Sequence, residues 1–465
     1  MSTPPLASGP EGPGALRPLL DTVLDALREG GAARGGPLPA GGPERVARRV
    51  RDAVGDVLPQ QGTDDALRVL VRVLAEGAAD PADPLCAAHL HCPPLAVATA
   101  ADLAVSALNP SMDSWDQAPA ASALEALVTR ALAQEIDAGD ALVTTGGTES
   151  NQLALLLARE AHAGVRLVCG ANAHHSLPRA AWLLGLPDPV VVPAPAGTMD
   201  LAALDEALTD CGDQRLRRGQ GPRGTHGSLL VAATAGTTDA GLIDPLPDIA
   251  DLCAAHGARL HIDAAYGGGL LFSDHHRTKL DGLDRAHTVT LDLHKLGWQP
   301  IAGGLLVVKD PHDLDALDHR ADYLNATDDT EAGLPDLLGR SLRTTRRPDI
   351  LKIAVTLKTL GREGLGALVD QVCARARELA DLVEAHPGFE LYDPPTLSTV
   401  LFRPAEASDE AVAAVRRTLL HEGRAVLGRA LLDDRLWLKA TLLNPHTRPG
   451  DLAALLKLVE GHTPR

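Results

Sequence analysis

Two side chains that could do chemistry each come at or near the end of an apolar, strand-like segment. Asp263 lies in the run His261-Ile-Asp-Ala-Ala-Tyr266, and Lys295 closes the run Thr290-Leu-Asp-Leu-His-Lys295. A carboxylate can keep a pyridine nitrogen protonated, and an amine can attach an aldehyde. Pyridoxal phosphate (PLP) needs both groups, so this pair predicts a PLP enzyme.

Each of these residues also has an ordinary structural interpretation. Asp263 could cap a loop, and Lys295 could be a surface lysine at a strand terminus. A buried carboxylate needs a partner, and a protonated pyridine nitrogen is a good one. Ala264 and Ala265 leave room for a flat ring, and His294 with its apolar neighbours sets Lys295 apart from a surface lysine.

A glycine-rich turn lies upstream of both runs. The segment Thr144-Thr-Gly-Gly-Thr-Glu-Ser-Asn151 follows a predicted strand and leads into a helical pattern. Such a turn presents backbone N–H groups to an anion, which suits a cofactor phosphate. A plain strand-to-helix turn with a Ser or Thr cap is the alternative, and short glycine motifs are common. The order of the three runs along the chain favours the phosphate site.

Two further runs place polar side chains after predicted strands. His174 and His175 follow the strand 166–169, where an imidazole could stack on a flat ring. Physical argument alone does not rank the two, and a polar loop pair is the alternative. The run Thr234-Ala-Gly-Thr-Thr238 puts hydroxyls at the carboxyl edge of the sheet, where open α/β sheets bind ligands.

The elements that must position these residues follow from the apolar pattern between Leu124 and Val308. Short apolar segments alternate there with helical patterns such as 150–163 and 246–256, which is typical of a mainly parallel sheet with helices on both faces. The sequence therefore predicts an α/β fold with seven strands, at 141–144, 166–169, 189–192, 229–233, 259–262, 288–291 and 305–308.

The remaining segments differ in composition and period. We predict a frayed, Gly/Pro/Ala-rich arm with a possible short helix (1–43), a helical N-terminal segment (44–120), a large cofactor-binding domain (121–345) and a C-terminal part (346–465). The last part contains a long helix (349–385) and a small α+β domain with strands 389–392, 399–403 and 436–441 and a helix at 409–422. The arginine- and glycine-rich segment 211–227 indicates a solvated loop.

Composition excludes several classes of function. The net charge of −18, from 43 basic and 61 acidic residues, disfavours nucleic acid and mildly favours a cationic ligand. Three Phe, three Tyr and four Trp make an aromatic pocket hard to build.

Six scattered cysteines without a CxxC pair and no secretory segment predict a cytoplasmic protein. We expect no metal, because no second ligand cluster follows the run His89-Leu-His-Cys92. We also expect no membrane partner.

Taken jointly, five runs give the chain a specific resemblance. It resembles the group II PLP-dependent amino acid decarboxylases of fold type I, which include aromatic amino acid, glutamate and diaminobutyrate decarboxylases. The similarity extends from about Asp83 to about Pro445. The runs that carry it are TTGGTESN (144–151), AHHSLPRA (173–180), ATAGTT (233–238), HIDAAYGG (261–268) and DLHK (292–295).

The resemblance implies a role for each matching residue. Lys295 is implied to carry the cofactor, Asp263 to partner the pyridine nitrogen and Ala265 to support the ring. His174 is implied to be the stacking imidazole. The remaining implied cofactor residues are Gly147 and Thr148 in the phosphate turn, Thr238 near the ring, and Asp292 and His294 on the phosphate side.

Other runs point to a branch of the family. Residues 89–125, 296–304, 341–352 and 438–445 resemble 2,4-diaminobutyrate and siderophore-type diamino acid decarboxylases. A short or medium basic amino acid is thus the implied substrate, with diaminobutyrate, ornithine, lysine and less usual acids left open. Asp113 and Asp116 are candidates for its distal ammonium group, although a solvated or capping role is the alternative.

One departure from the family bears on mechanism. The aromatic amino acid decarboxylases have a loop tyrosine that protonates Cα, and Leu337 occupies the equivalent position here. The proton donor is left open among His174, Tyr323 and water. An aldehyde-forming oxidative deaminase, an aminotransferase and a silent PLP-binding protein are therefore alternatives to the decarboxylase. The family also implies a homodimer with the active site at the subunit interface, where we expect the stretch 86–115.

Overall fold

The structure is a computed structural model that describes residues 4–162, 164–217, 229–318 and 321–463. The chain divides into two compact units. The central unit is Pro94–Cys373, and the terminal unit joins Met1–Pro93 with Ala374–Arg465.

The terminal unit begins with three helices, α1 (Gly12–Arg34), α2 (Gly42–Val54) and α3 (Ala66–Gly77), and a short strand, β1 (Cys86–Ala87). Helix α1 occupies much of the segment for which we expected a frayed arm with a possible short helix, and it packs against α3. Gly30 permits the close approach, since a Cβ there would lie 2.5 Å from the Arg72 carbonyl oxygen. Composition alone does not reveal such a contact.

The central unit contains a seven-stranded sheet. Its strands are β2 (Asp140–Thr144), β3 (Arg166–Gly170), β4 (Val190–Val192), β5 (Leu229–Thr234), β6 (Arg259–Ala264), β7 (Thr288–Asp292) and β8 (Gly304–Val308). Their order is β2-β8-β7-β6-β5-β3-β4, and β8 is antiparallel to both of its neighbours while the other pairs are parallel. The predicted mainly parallel sheet is confirmed, and the predicted strands differ from the observed ones only at their ends.

Helices of the central unit connect and cover these strands. Helix α6 packs against β6, β7 and β8, and α9 packs against β5 and β6. The helices in chain order are α4 (Ala96–Leu108), α5 (Pro119–Gln134), α6 (Gly147–Ala161), α7 (Ser176–Leu183), α8 (Leu201–Arg217), α9 (Leu246–His256), α10 (Asp322–Asn325), α11 (Thr327–Glu331) and α12 (Ile350–Glu384), which continues into the terminal unit. The loop predicted at 211–227 begins inside α8, and its residues 218–227 lie outside the described residues.

The C-terminal part of the terminal unit has the predicted α+β character. Its strands β9 (Phe389–Leu391), β10 (Thr399–Pro404), β11 (Val426–Leu432) and β12 (Arg435–Thr441) join β1 in the order β1-β11-β12-β10-β9. Helices α13 (Asp409–Glu422) and α14 (Pro449–His462) complete it, around an apolar core that includes Val400, Phe402, Leu438 and Leu455. Strand β11 was not predicted.

No helix in the described ranges combines the length and the apolar character that crossing a membrane requires.

Candidate active site

Strands β6 and β7 carry four buried polar side chains on one face of the central sheet. His261 pairs in register with Thr288, and Asp263 pairs with Thr290. Because residues i and i+2 of a strand point to the same face, these four side chains form one polar patch. All four are at most 5% exposed, so each needs a hydrogen-bond partner inside the protein.

Asn151 of α6 supplies most of those partners. Its Nδ2 donates to Asp263 Oδ2 at 2.8 Å, and its Oδ1 accepts from Thr290 Oγ1 at 2.8 Å. His261 Nε2 lies 2.9 Å from the same Oδ1. A carboxylate only accepts, so the amide nitrogen must face Asp263, and His261 must carry its proton on Nε2.

The second oxygen of Asp263, Oδ1, accepts the backbone N–H of Ala265 at 3.1 Å. This carboxylate is therefore buried and doubly hydrogen-bonded at the carboxyl end of β6. His261, two residues earlier, is fully buried, and burial lowers its pKa to about 4. Its ring is therefore neutral at pH 7.

His174 is connected to the same group of side chains through Ser176. Asn151 Nδ2 donates to Ser176 Oγ at 2.9 Å, and Ser176 Oγ lies 2.8 Å from His174 Nδ1. Burial lowers the pKa of His174, with the charges of Asp263, His175 and Lys295 as smaller influences. The structure thus distinguishes the two histidines: His174 is half-buried in this network, whereas His175 is exposed.

Lys295 follows β7 and pairs with Asp292. The Lys295 Nζ atom lies 2.9 Å from Asp292 Oδ2, and the lysine side chain is 18% exposed. His294 Nε2 lies 3.6 Å from the same oxygen, and burial lowers the pKa of His294. Asp292 Oδ1 is buried without a hydrogen-bond partner among the described residues. The amine is therefore reachable, and its carboxylate partner retains one open acceptor.

The glycine-rich turn lies against these residues. A Cβ on Gly147 would lie 3.1 Å from Ala265 Cβ and 3.2 Å from Asp292 Oδ2. Gly147 begins α6, and no side chain caps that helix. The backbone N–H groups of its first turn, including that of Thr148, thus have no intrahelical partner. Within the turn, the Thr144 hydroxyl accepts the backbone N–H of Gly146 at 3.3 Å.

The structure brings together most of the residues that the sequence singled out: Lys295, Asp263, Asp292, His294, His174, Gly147 and Ala265. Thr148 and Thr238 are exposed. Sequence reasoning missed Asn151, Ser176, His261 and Thr290 as functional residues, although all four lie inside or beside the quoted runs. Their mutual contacts join distant parts of the chain, so local spacing gives no signal.

Other candidates from the sequence differ in burial. Asp113 is buried, and its Oδ1 accepts from Gln117 Nε2 at 2.7 Å, whereas Asp116 is exposed. Tyr323 is exposed and Leu337 is buried. Across the part of the chain that the structure describes, no three His, Cys, Asp or Glu side chains are grouped in a way that could hold a metal ion.

Comparison with known proteins identifies the architecture. The model of a family described as the pyridoxal-dependent decarboxylase conserved domain matches residues 60–405. The L-2,4-diaminobutyrate decarboxylase of Rhizobium meliloti (strain 1021) is 41% identical over 429 residues, covering 88% of this chain and 84% of that protein. The enzyme of the same name from Acinetobacter baumannii is 33% identical over 437 residues, covering 86% and 83%.

A solved structure agrees over nearly the whole chain. It is the glutamate decarboxylase domain of diaminobutyrate-pyruvate transaminase and L-2,4-diaminobutyrate decarboxylase from Vibrio parahaemolyticus. The TM-score is 0.84 with 32% sequence identity, covering 98% of this chain and 97% of that chain.

Proposed function

Because the chain belongs to the pyridoxal-dependent decarboxylase family, whose cofactor is pyridoxal phosphate, we propose that its substrate is L-2,4-diaminobutyrate or a diamino acid of similar length. The products are then the corresponding amine and carbon dioxide. Two relatives with this activity in their names align with most of the chain, which is the observation that carries the proposal. As a family member, the protein is a PLP-dependent carboxy-lyase.

The side chains present fit this cofactor. An accessible amine, a buried carboxylate and an uncapped helix N-terminus match its aldehyde, ring nitrogen and phosphate. When bound, PLP supplies an electron sink for the pair of electrons left by departing carbon dioxide. Lys295 would hold the cofactor covalently, and Asp263 would keep its ring nitrogen protonated. Ala265 would support the ring, and His174 would be its stacking imidazole.

The phosphate side is built from the turn and its neighbours. The N–H groups of Gly147 and Thr148 would hold the phosphate, since helix N-termini favour anions. Asp292 and His294 lie beside this turn, and Asp292 also orients the Lys295 amine through their ion pair. Thr238 would lie near the ring, as the family resemblance implies. Asp292 is an anion itself, so we assign it to Lys295 and His294 and not to direct phosphate contact.

We assign the distal ammonium of the substrate to Asp113 before Asp116. Asp113 is only 7% exposed, so less water surrounds its carboxylate than surrounds that of the exposed Asp116. The attraction of Asp113 for a cation is therefore stronger. The scarcity of aromatic residues and the net charge of −18 also favour a small cationic substrate. Asp113→Asn should raise the KM for diaminobutyrate by about 10-fold or more, the scale of a lost charged contact. An unchanged KM would remove this assignment.

Proton return to Cα has three candidate donors: His174, Tyr323 and water. His174 is neutral at pH 7 because burial lowers its pKa, and its Nδ1 accepts the Ser176 backbone N–H at 3.3 Å. The ring proton is thus on Nε2. Tyr323 is exposed and lies in α10.

A second candidate function is aldehyde formation by oxidative deamination. It is favoured by one observation, the leucine at position 337 where related decarboxylases have a loop tyrosine. Incubating the enzyme with diaminobutyrate, ornithine, lysine and tyrosine separates the two activities. We expect carbon dioxide and amine in equal amounts from diaminobutyrate. Aldehyde and peroxide as main products would show that the second function is the correct one.

We also propose a cytoplasmic homodimer with the active site at the subunit interface. Trp182 and Leu183 are 74% and 58% exposed on α7, the helix that directly follows His174. Exposed large apolar side chains in a group mark contact surfaces. Buried thiols outside disulfides, at Cys169, Cys211 and Cys253, support a reducing compartment. Light scattering should give twice the chain mass of 48.5 kDa, and Trp182→Glu should weaken the dimer.

A further inference from the structure

The buried hydrogen bonds around Asn151 have one consistent set of donors and acceptors. Asn151 Nδ2 faces two acceptors, Asp263 Oδ2 and Ser176 Oγ, at 2.8 and 2.9 Å. His174 Nδ1 accepts the Ser176 backbone N–H at 3.3 Å and so carries no proton, which makes the Ser176 hydroxyl, 2.8 Å away, a donor to it. Reversing the amide would place an oxygen against the Asp263 carboxylate, which has no proton to give.

The oxygen side of the same amide is fixed independently. Thr290 Oγ1 donates to Asn151 Oδ1, and His261 Nε2 donates to the same atom. His261 Nδ1 in turn lies 2.9 Å from Thr288 Oγ1. Asn151 is fully buried, so all four hydrogen-bonding positions of its amide are filled by protein groups.

We propose that Asn151 is a positioning residue that couples the carboxylate of Asp263 to the imidazole of His174. Through Nδ2 it holds Asp263 as a hydrogen-bond acceptor for the ring nitrogen. Through Ser176 it holds His174 in the tautomer that has its proton on Nε2. The inference rests on the roles proposed above for Asp263 and His174, and it adds a residue for which the sequence analysis predicted no role.

The charges near Asp263 and His174 determine how a substitution of Asn151 affects the site. The charges of Asp263, Asp292, Lys295 and His175 all act on His174, and Asp263 also acts on His261. Asn151 is uncharged and sits between these groups. Replacing it with an acid would place a second carboxylate beside Asp263, and two such groups cannot both be ionised at this distance.

The test compares three variants with a matched control. Asn151→Ala removes the coupling, and Asn151→Asp makes it depend on a proton. Thr290→Val is almost isosteric and removes only one of the donors that orient the amide. The control is Thr399→Val in the terminal unit, which breaks a buried hydroxyl pair with Thr441 (3.1 Å) of the same kind. Each full-length holoenzyme is checked by thermal unfolding.

The first readout is the dissociation constant for PLP, measured by equilibrium dialysis at pH 6 and pH 8.5. Asn151→Ala should weaken PLP binding about 10-fold or more at both pH values, relative to wild type. Asn151→Asp should stay within a few-fold of wild type at pH 6, where a shared proton restores the donor, and weaken about 10-fold at pH 8.5. Thr290→Val should weaken it by a few-fold, and Thr399→Val should leave it unchanged.

The second readout is the pH at which the visible absorbance of the bound cofactor changes. This midpoint should shift in all three site variants and stay constant in the control. Equal losses for Asn151→Asp at both pH values, or an unchanged midpoint, would show that Asn151 is merely structural. If neither Asn151 variant folds, Thr290→Val decides, and an unchanged midpoint there overturns the inference. Mapping the PLP-bearing lysine in wild type separately tests the proposed function.

Discussion

The two sheets of this protein each have a buried face, and the two faces differ in polarity. On the central sheet, β6 and β7 place His261, Asp263, Thr288 and Thr290 side by side, and a helix residue completes their hydrogen bonds. On the terminal sheet, the neighbours Val400, Phe402, Leu438 and Ala440 form an apolar core. Burying polar groups costs free energy unless they are paired.

This difference indicates which of the two sheets carries the reactive groups. In the terminal sheet the hydroxyls of Thr399 and Thr441 bond each other at 3.1 Å. In the central sheet the polar patch ends in a carboxylate at the strand's carboxyl end, beside an accessible lysine and a bare helix N-terminus. A buried polar face that leads to a reactive group indicates function, and an apolar face indicates stability.

The largest expected effect breaks the central site. Lys295→Ala should abolish turnover and the visible absorbance of the bound cofactor, because no other amine is proposed to hold PLP. Lys309→Ala removes another lysine of the same unit, paired with Asp137 at 3.1 Å, and should leave both properties intact. Residual visible absorbance in Lys295→Ala would contradict the assignment.

The second effect concerns the carboxylate. Asp263→Ala should lower kcat by about 100-fold or more, as removal of a preorganised electrostatic group does. Asp409→Asn is the comparison in the terminal unit, where the aspartate accepts from Arg403 at 3.0 Å, and it should leave kcat unchanged. Steady-state carbon dioxide release measures both, and similar kcat values for the two variants would defeat the contrast between the sheets.

The third effect should appear in stability and not in chemistry. Leu438→Ala leaves a cavity in the apolar core of the terminal sheet and should lower the free energy of unfolding by about 2 to 5 kcal/mol. The pH midpoint of the cofactor absorbance should not move. A shifted midpoint would mean that the two sheets do not divide stability and chemistry as argued.

The smallest effect is the pH dependence of stability that His261 brings. Burial lowers the pKa of His261 to about 4, whereas the unfolded value is about 6.5. The unfolded state therefore binds more protons between these pH values, and stability falls as pH decreases through this window. Between pH 7 and pH 5, the free energy of unfolding should fall by on the order of 2 kcal/mol. Urea unfolding at pH 7 and pH 5 should show a smaller pH effect in His261→Gln than in wild type; equal effects would refute it.

Much of the fold could be predicted because period and motif are local properties. The seven central strands, α9 and α13 follow from apolar patterns of a few residues. Helix α1 was expected only as a possible short helix, because its glycines and prolines suggest disorder and its packing on α3 leaves no local signal. Strand β11 was missed because Gly428 interrupts its apolar pattern in the sequence. In the structure, a Cβ at Gly428 would lie 2.7 Å from the Ala88 carbonyl oxygen.

The residues of the candidate site also divide into those with a local sequence signal and those without one. Lys295, Asp263 and the glycine turn could be found from strand ends and family runs, and the family and cofactor are confirmed by the comparisons. The preference for His174 over His175 came from the family resemblance. In the structure the two differ in burial, because His174 is half-buried and His175 is exposed. Asn151 could not be given a role, because its partners Asp263, His261 and Thr290 are distant in sequence and meet it only in the folded protein.

The most direct measurement is the identity of the lysine that carries the cofactor. The chain has seven lysines, and none precedes Lys279, so peptide mapping separates them readily. Borohydride reduction of the holoenzyme, followed by proteolysis and mass spectrometry, should place the pyridoxyl group on Lys295. A pyridoxyl group on any other lysine, or on none, would contradict the account.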